Sequence, residues 1–337
     1  MARLGTLACI RLLALVLMMV PGSMMAQSAC TDEQAKEKHG SLALDRSNQS
    51  LLDSERRFKP DPAAQRKIDQ AIAILKQAIP DITGGEGLYS YSFSTPQPKR
   101  ILVFSIRAGL FAYYCMPASY PGAHPGKISR EDETGTWITT DFNSLGTLVE
   151  ERSNLGNDLR TPKGEMNFRL PKEGDFRGHR LFFPDKYGMV TKVVVLTAPG
   201  RFPFKPVSRK EFLEAREKSY QAYIDKLPNS SASYADELEQ IKRFHATLSP
   251  SELAQQAVVK DQNQIPSRGK VFVNENDGGL RLVTIDRSYI DHSLPSSAVQ
   301  LITLEWENSG KKPANQAAMP QFENNLDLDA LGRLLDR

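Results

Sequence analysis

The hydrophobic pattern of this chain changes period as it runs, and the clearest change lies between Lys192 and Leu227. Val193, Val194 and Val195 are β-branched and stiff at χ1, so they suit a pleated, buried surface. Their run to Thr197 has no polar alternation, which predicts a strand covered on both faces. Pro199-Gly200 ends it, and Pro203 and Pro206 keep the connection extended. Ser208 and Glu211 then fit the S-x-x-E capping box that opens a helix. Leu213, Tyr220, Ile224 and Leu227 fall on one helical stripe with Tyr223 beside it, charged residues fill the opposite face, and Pro228-Asn229 stops the helix. Phe202 and Phe204 in the turn read as a staple between sheet and helix, with pocket lining as the functional alternative.

On either side the pattern is read the same way. Residues 31–58 are charged and weakly periodic, with one short helix marked by Leu42, Leu44, Leu51 and Leu52. Asp61 is a good N-cap and Pro62 fits the first helical position; Ile68, Ala71, Ile72, Leu75 and Ile79 make the buried stripe, and Pro80 ends it. Strands follow at Leu88–Ser94, Ile101–Tyr114 (with Gly109 as a bulge or turn), Trp137–Phe142, Met166–Leu170, His179–Phe183 and Val190–Leu196. Beyond the Ser208 helix, Tyr234–Leu248 reads as a second helix facing in through Leu238, Ile241 and Leu248. Ser249, Pro250 and Glu252 open a third, running to about Val259. Strands return at Lys270–Val273, Arg281–Ile285 and Val299–Trp306, the first two joined by an Asn276-Asp277-Gly278-Gly279 hairpin turn. Lys311–Gln321 has the Pro/Ala/Gln/Asn composition of a mobile connection, and Leu326–Leu335 that of a short amphipathic helix or a frayed tail.

Strands that are not each followed by a helix argue against a doubly wound parallel fold. The expectation is therefore an α+β fold, antiparallel sheets packed with amphipathic helices. The expected units are a leader over 1–26, a partly flexible segment over 27–60, one domain over 61–308 with a candidate sub-boundary near 200–208, and a mobile linker plus short helix over 309–337.

The leader changes the picture of charge and compartment. Arg3 and Arg11 precede or flank Leu12–Val20, an apolar core too short for a membrane span, and Pro21-Gly22-Ser23 breaks it. This predicts a secretory signal cleaved after Ala26; acylation at Cys30 is the rival, against which Gln27-Ser28-Ala29 lacks the expected aliphatic residue. The chain carries 43 Lys and Arg against 40 Asp and Glu, and loss of the two leader arginines leaves 41 against 40. No basic stripe points to nucleic acid or an anionic membrane, and no other apolar run spans a bilayer. Cys9 leaves with the leader. Cys30 and Cys115 then form one disulfide, or remain two unpaired thiols. Such a closure is worth roughly 4–5 kcal/mol in the loop-entropy model.

Candidate chemistry is sparse. None of the five histidines lies in a metal-ligand spacing, and there is no Cys-x-x-Cys, so neither a metal nor a cofactor is expected. Arg177, His179 and Arg180 form a basic cluster that suits a phosphate or carboxylate, against the plainer reading of a solvated strand end. Asp291-His292-Ser293 puts triad residue types side by side, but triad side chains converge from separate elements, so a turn around a buried Tyr289 is the better reading. His245 reads as a satisfied edge histidine, and Tyr89, Tyr91 and Phe93 as a core face rather than a sugar platform. Gly84-Gly85-Glu86-Gly87 lacks the continuation of a phosphate loop.

Pro203–Ala215 (PFKPVSRKEFLEA) and Tyr289–Trp306 (YIDHSLPSSAVQLITLEW) resemble a pattern of secreted bacterial proteins of unknown function. The resemblance covers the back half of the chain and implies export and an α+β body, with no catalytic residues to carry over. The leading expectation is an exported, non-enzymatic binding or envelope-associated module, periplasmic or extracellular, whose partner is an envelope protein or a small ligand. The rivals are an exported hydrolase assembled from distant residues, with His124, His179 and His292 as contributors, and an assembly protein whose tail helix is delivered to a partner groove.

Overall fold

The valine run lies in a strand with two covered faces: Val194 and Leu196 enter one core, Val193 and Val195 another. The computed structural model that shows this describes residues 30–55, 61–94, 100–116, 126–131, 136–149, 165–186, 189–226, 232–260, 265–307 and 312–336. The leader expected over 1–26, His124, Leu227 and the helix stop expected at Pro228-Asn229 lie outside the described residues.

In chain order the N-terminal segment holds helix α1 (Asp32–Glu37), strands β1 (His39–Gly40) and β2 (Leu42–Leu44), and helix α2 (Arg46–Glu55). Next come α3 (Pro62–Ala78), β3 (Ile82–Thr83), β4 (Gly85–Phe93), β5 (Phe104–Cys115), β6 (Ile128–Arg130) and β7 (Trp137–Phe142). They are followed by β8 (Asn167–Arg169), β9 (Lys172–Phe176), β10 (His179–Phe183), β11 (Asp185–Lys186), β12 (Met189–Thr197), β13 (Phe204–Pro206) and α4 (Arg209–Lys226). Last are α5 (Ala232–Thr247), α6 (Pro250–Leu253), β14 (Val258–Val259), β15 (Leu280–Ile285), β16 (Leu301–Glu307), α7 (Pro313–Asn325) and α8 (Leu328–Gly332).

The fold is α+β. One large sheet has the order β2-β4-β5-β7-β16-β12-β10-β9, with β6 added beside β5 and β11 beside β12. A smaller sheet has the order β13-β15-β14, with β8 also on β15. Among the described residues every pairing is antiparallel except β2 with β4, where Leu42 pairs with Gly87. Three cores alternate with these layers. The first lies between one face of the large sheet (Ile106, Ile302, Leu304, Trp306) and the helices α3, α7 and α8. The second lies between the opposite face (Phe182, Val193, Val195) and the small sheet (Phe168, Phe204, Val283). The third lies between the far side of the small sheet (Leu282, Val259) and α4 and α5, through Phe212, Leu213 and Ile241.

Local chemistry sets the element ends as the sequence predicts. Asp61 caps α3, accepting from the Ala63 N–H at 2.7 Å, with Pro62 in the first turn. Ser208 and Glu211 close their capping box, the Ser208 N–H donating to Glu211 at 2.9 Å and the Glu211 N–H to Ser208 Oγ at 3.2 Å. Ser249 and Glu252 repeat it at α6.

Several expectations are corrected. Gly109 is no bulge: it pairs in register with Leu88 and Trp137. A Cβ there would lie 2.9 Å from Trp137 Cζ3, so glycine is what admits the indole onto β5. Lys270–Val273 is not a strand, and the hairpin at Gly278 does not form. Val258–Val259 takes the place beside β15, while Val271 is buried against the helices and Phe272 packs on Phe212 and Phe244. The third helix stops at Leu253. The N-terminal segment is joined to the sheet: beyond the end of β2 the Gln49 side chain serves β4, donating to the Tyr91 carbonyl at 3.2 Å and accepting from its N–H at 2.9 Å.

Within 312–336, the expected linker is α7. Pro313 occupies its first turn, and Ala314, Ala318, Met319 and Phe322 make a buried stripe that the Ala/Gln/Asn composition disguises. Glu323 on this helix accepts from both Trp306 Nε1 and Lys192 Nζ at 2.7 Å. The tail is docked too: Leu328, Leu331 and Leu334 are buried, and Asp336 accepts from the Val299 N–H at 2.7 Å and from Lys67 at 2.6 Å.

Asn143 joins β7 to the start of β16. At φ 60 it occupies the left-handed region, which Asn tolerates better than most residues. Its amide donates to the carbonyls of Leu102 (2.9 Å) and Ala298 (2.8 Å), and its Oδ1 accepts from the Gln300 N–H (2.8 Å), all out of water. Asn143→Ala strands three buried backbone groups and adds left-handed strain, so urea unfolding is expected to show a loss of about 4 kcal/mol. Asn143→Gly removes the strain but not the lost bonds, and is expected to recover about 1 kcal/mol of it.

Candidate functional site

One depression among the described residues lies where α1 and α7 meet the end of β5. It encloses about 340 Å³. One wall is α1, presenting Asp32 and Lys36; the floor is the end of β5, Ala112 to Tyr114; the other wall is the first turns of α7, Pro313, Ala314 and Ala317. Glu131 and Lys312 stand at the rim.

Local sequence explains the placement. Thr31 and Gln34 form a capping box that starts α1 immediately after Cys30. Gly84, at φ 74, lets α1 close on the sheet, since a Cβ there would lie 2.9 Å from the Lys36 carbonyl oxygen. Cys30 is bonded to Cys115, with Cα atoms 5.7 Å apart, so one disulfide joins the beginning of the first wall to the end of the floor. The Cys115 N–H also donates to Asp32 Oδ1 at 3.4 Å.

The floor is apolar and the charges sit around it. Lys312 Nζ is 2.6 Å from Glu131 Oε1, so those two charges answer each other. Tyr113 donates its hydroxyl to Glu86 Oε2 at 3.0 Å, and Lys38 Nζ lies 4.1 Å from its ring centroid. Burial first, and then the hydrogen bond to the Glu86 carboxylate, push the Tyr113 phenol up to about 12. It is a fixed neutral donor at ordinary pH rather than a proton-transfer group. Lys36 has no hydrogen-bond or ion-pair partner among the described residues. The pleat turns the Tyr113 ring to the other face of β5, so the cleft offers an apolar slot floored by Ala112 and Tyr114, with Asp32 and Lys36 one turn apart on its α1 wall and neither in an ion pair.

The residues singled out from sequence lie elsewhere, apart from the cysteines. Arg177 and Gly178 form the tight turn between β9 and β10, both at positive φ. Arg177 donates to the carbonyls of Asn324 (2.8 Å) and Leu326 (3.0 Å) at the C-terminal end of α7, and His179 Nε2 lies 3.6 Å from Asp329 on α8. Arg180 turns the other way: its guanidinium lies 3.6 Å from the Phe202 ring centroid and is bound by Glu173 at 2.5 and 2.9 Å. Glu173 also holds Arg281 of the small sheet at 2.5 Å, and Arg180 first, then Arg281, keep its carboxyl below the usual range. The three basic side chains diverge. His292 is exposed in a small depression with Asp291 and Arg100. Asp291 Oδ1 accepts from the Ser293 N–H at 2.8 Å, a local turn, and Tyr289 is buried with its hydroxyl on the Gln300 carbonyl at 2.7 Å. His245 is answered by Glu217 at 2.7 Å. Tyr89 is buried in the first core, with Tyr91 and Phe93 packed against it.

Sequence reasoning passed over Lys36, Tyr113, Tyr114, Glu131 and Lys312. The one visible hint is Tyr113-Tyr114-Cys115, two aromatic rings next to the cysteine that fixes them. Among the described residues no group of three or more His, Cys, Asp or Glu side chains is arranged to hold a metal ion. No protein-family model, curated protein or solved structure matches the chain.

The Tyr113 phenol is expected to titrate near 12 by ultraviolet absorbance, against an ordinary 10.0. Glu86→Gln is expected to bring it part of the way back, because burial, the larger cause, remains. The folded state holds this proton more tightly than the unfolded chain. Its contribution to stability is therefore complete below the ordinary 10.0 and is lost as pH rises toward 12.

Proposed function

We propose that this chain is an exported, non-enzymatic binding module of the periplasm or extracellular space. Its ligand is a small amphiphile with an apolar, preferably aromatic body and one anionic group. The observation that carries the reading is the cleft itself: a slot of about 340 Å³ floored by Ala112 and Tyr114, with Lys36 on its wall, beside Asp32 and outside any ion pair. That volume falls within the range of small-molecule sites, and an apolar lining with few polar groups is how such sites divide affinity from specificity.

Export is supported by three independent features. The charged, apolar, then small-residue order of positions 1–26 is that of a secretory leader. The Cys30–Cys115 pair is at bonding distance, which suits an oxidising compartment. No helix among the described residues is long and apolar enough to cross a membrane. The non-enzymatic reading is supported by the lining of the cleft, which is mostly carbon (Ala112, Pro313, Ala314, Ala317) with Glu131 and Lys312 engaged with each other at the rim.

The test is calorimetry on the oxidised chain from Gln27 onward, with 2-naphthoate and its uncharged analogue 2-naphthalenemethanol as probes. The carboxylate is expected to bind the more tightly. Ala317→Trp, which fills the slot from the exposed side of α7, is expected to weaken both probes about tenfold or more, in line with loss of a buried aromatic body. Lys36→Ala is expected to weaken the carboxylate alone, by about fivefold at most, as for a solvent-exposed ion pair. Binding that Ala317→Trp leaves untouched, or no binding of either probe, would sink the proposal.

A further inference from the structure

Resting on that reading of the cleft, we infer that the Cys30–Cys115 disulfide is its latch, so that reduction by a dithiol switches ligand binding off while the body stays folded. The argument begins with how little else holds the first wall. Helix α1 has six residues, too few to stand alone in water. Its one buried side chain is Ala35. At its C-terminal end the chain is tethered by the two-residue pairing of β1 with β3 and by the Gly84 N–H on the Lys38 carbonyl, at 2.7 Å. At its N-terminal end the tethers are the disulfide, the Cys30 N–H on the Gly126 carbonyl (3.2 Å) and the Cys115 N–H on Asp32 (3.4 Å). The second and third of these involve the two cysteines' own backbone amides, which the bond holds side by side.

The bond also sits where both sides of the slot converge. Asp32 lies two residues after Cys30, and Tyr114 immediately precedes Cys115. One covalent link thus fixes the wall that carries Lys36 relative to the floor formed by the end of β5. The three cores are not tied through it: none of their buried residues belongs to α1, and Ala35 stands outside all three. Both cysteines are only half-buried, so an attacking thiolate can reach them.

The chemistry balances with the dithiol as the named reductant. Its thiolate attacks one sulfur of the pair, forming a mixed disulfide and releasing the other as thiolate. The dithiol's second thiolate then displaces the remaining cysteine. Two electrons pass to Cys30 and Cys115, which take up two protons, and the reductant leaves as its own disulfide. Because coupling is reciprocal, a ligand that needs the latched wall must also make the disulfide harder to reduce, by the same factor.

The experiment is amide hydrogen exchange on the chain from Gln27 onward, oxidised, reduced with dithiothreitol, and as Cys30→Ser/Cys115→Ser, with 2-naphthoate calorimetry on the same three samples. The latch predicts that the Ala35 and Lys38 amides, bonded to Thr31 and Gln34, exchange at least about tenfold faster on reduction, as for a locally opened segment. Amides of β5, β12 and β16 stay protected, the 2-naphthoate affinity falls about fivefold or more, and reoxidation restores both. Unchanged exchange at Ala35 and Lys38 overturns the latch whatever the probe does. Loss of protection across β12 and β16 also overturns it, since the bond would then staple the whole body. Loosening of α1 with no probe binding even when oxidised refutes the cleft as a ligand site, and with it the switch. The reduced natural chain answers the question if the double variant does not fold.

Discussion

In the middle of the large sheet β16 and the Val193–Leu196 stretch of β12 are buried on both faces, and most of the architecture follows from that. β12 and β16 pair along Thr191–Thr197 and Glu307–Leu301. Every residue of β16 is buried. A strand pair in that position must be covered twice, once by helices and once by a second sheet. The second sheet then has its own outer face to bury, which is why α4 and α5 lie on its far side. Layer by layer, each cover creates the apolar face that calls for the next.

Legibility in the sequence tracks how local the physics is. The three-valine run, the Asp61-Pro62 start and the two Ser/Glu boxes are decided within a few residues, and each forms as the spacing predicts. Trp137–Phe142, which alternates, and His179–Phe183, which does not, are both strands with the expected bounds. What was not legible depends on partners far away in the chain. Pro313–Asn325 reads as a linker by composition, and it becomes a helix because the sheet offers Ala314, Ala318 and Phe322 a surface to pack on. Val271 reads as a strand residue, yet its backbone lost the place beside β15 to Val258.

The cleft is the extreme case of that dependence. Its walls come from residues 32–36, 112–114 and 312–317, and no window of the sequence holds two of them. Lys36 and Lys312 look like any surface lysine until the fold shows that only Lys312 has an acid opposite it. The basic cluster at Arg177–Arg180 shows the reverse. Adjacency on a strand sends successive side chains to opposite faces, so Arg180 meets Phe202 while His179 meets Asp329. Charges close in sequence were separated by the pleat, and charges far apart were brought together by the topology.

The Gln49 side chain carries a consequence for how this molecule behaves in a crowd. A long sheet ends in strands whose unpaired amides and carbonyls are a template for another chain to add itself. β2 covers β4 only from Gly87 to Tyr89, and the next outward backbone pair, at Tyr91, would be such a template. Gln49 occupies both of its groups with one amide. The side chain acts as a one-residue strand, taking the amide and the carbonyl that an added strand would use. A helix residue thus doubles as protection against edge-to-edge aggregation.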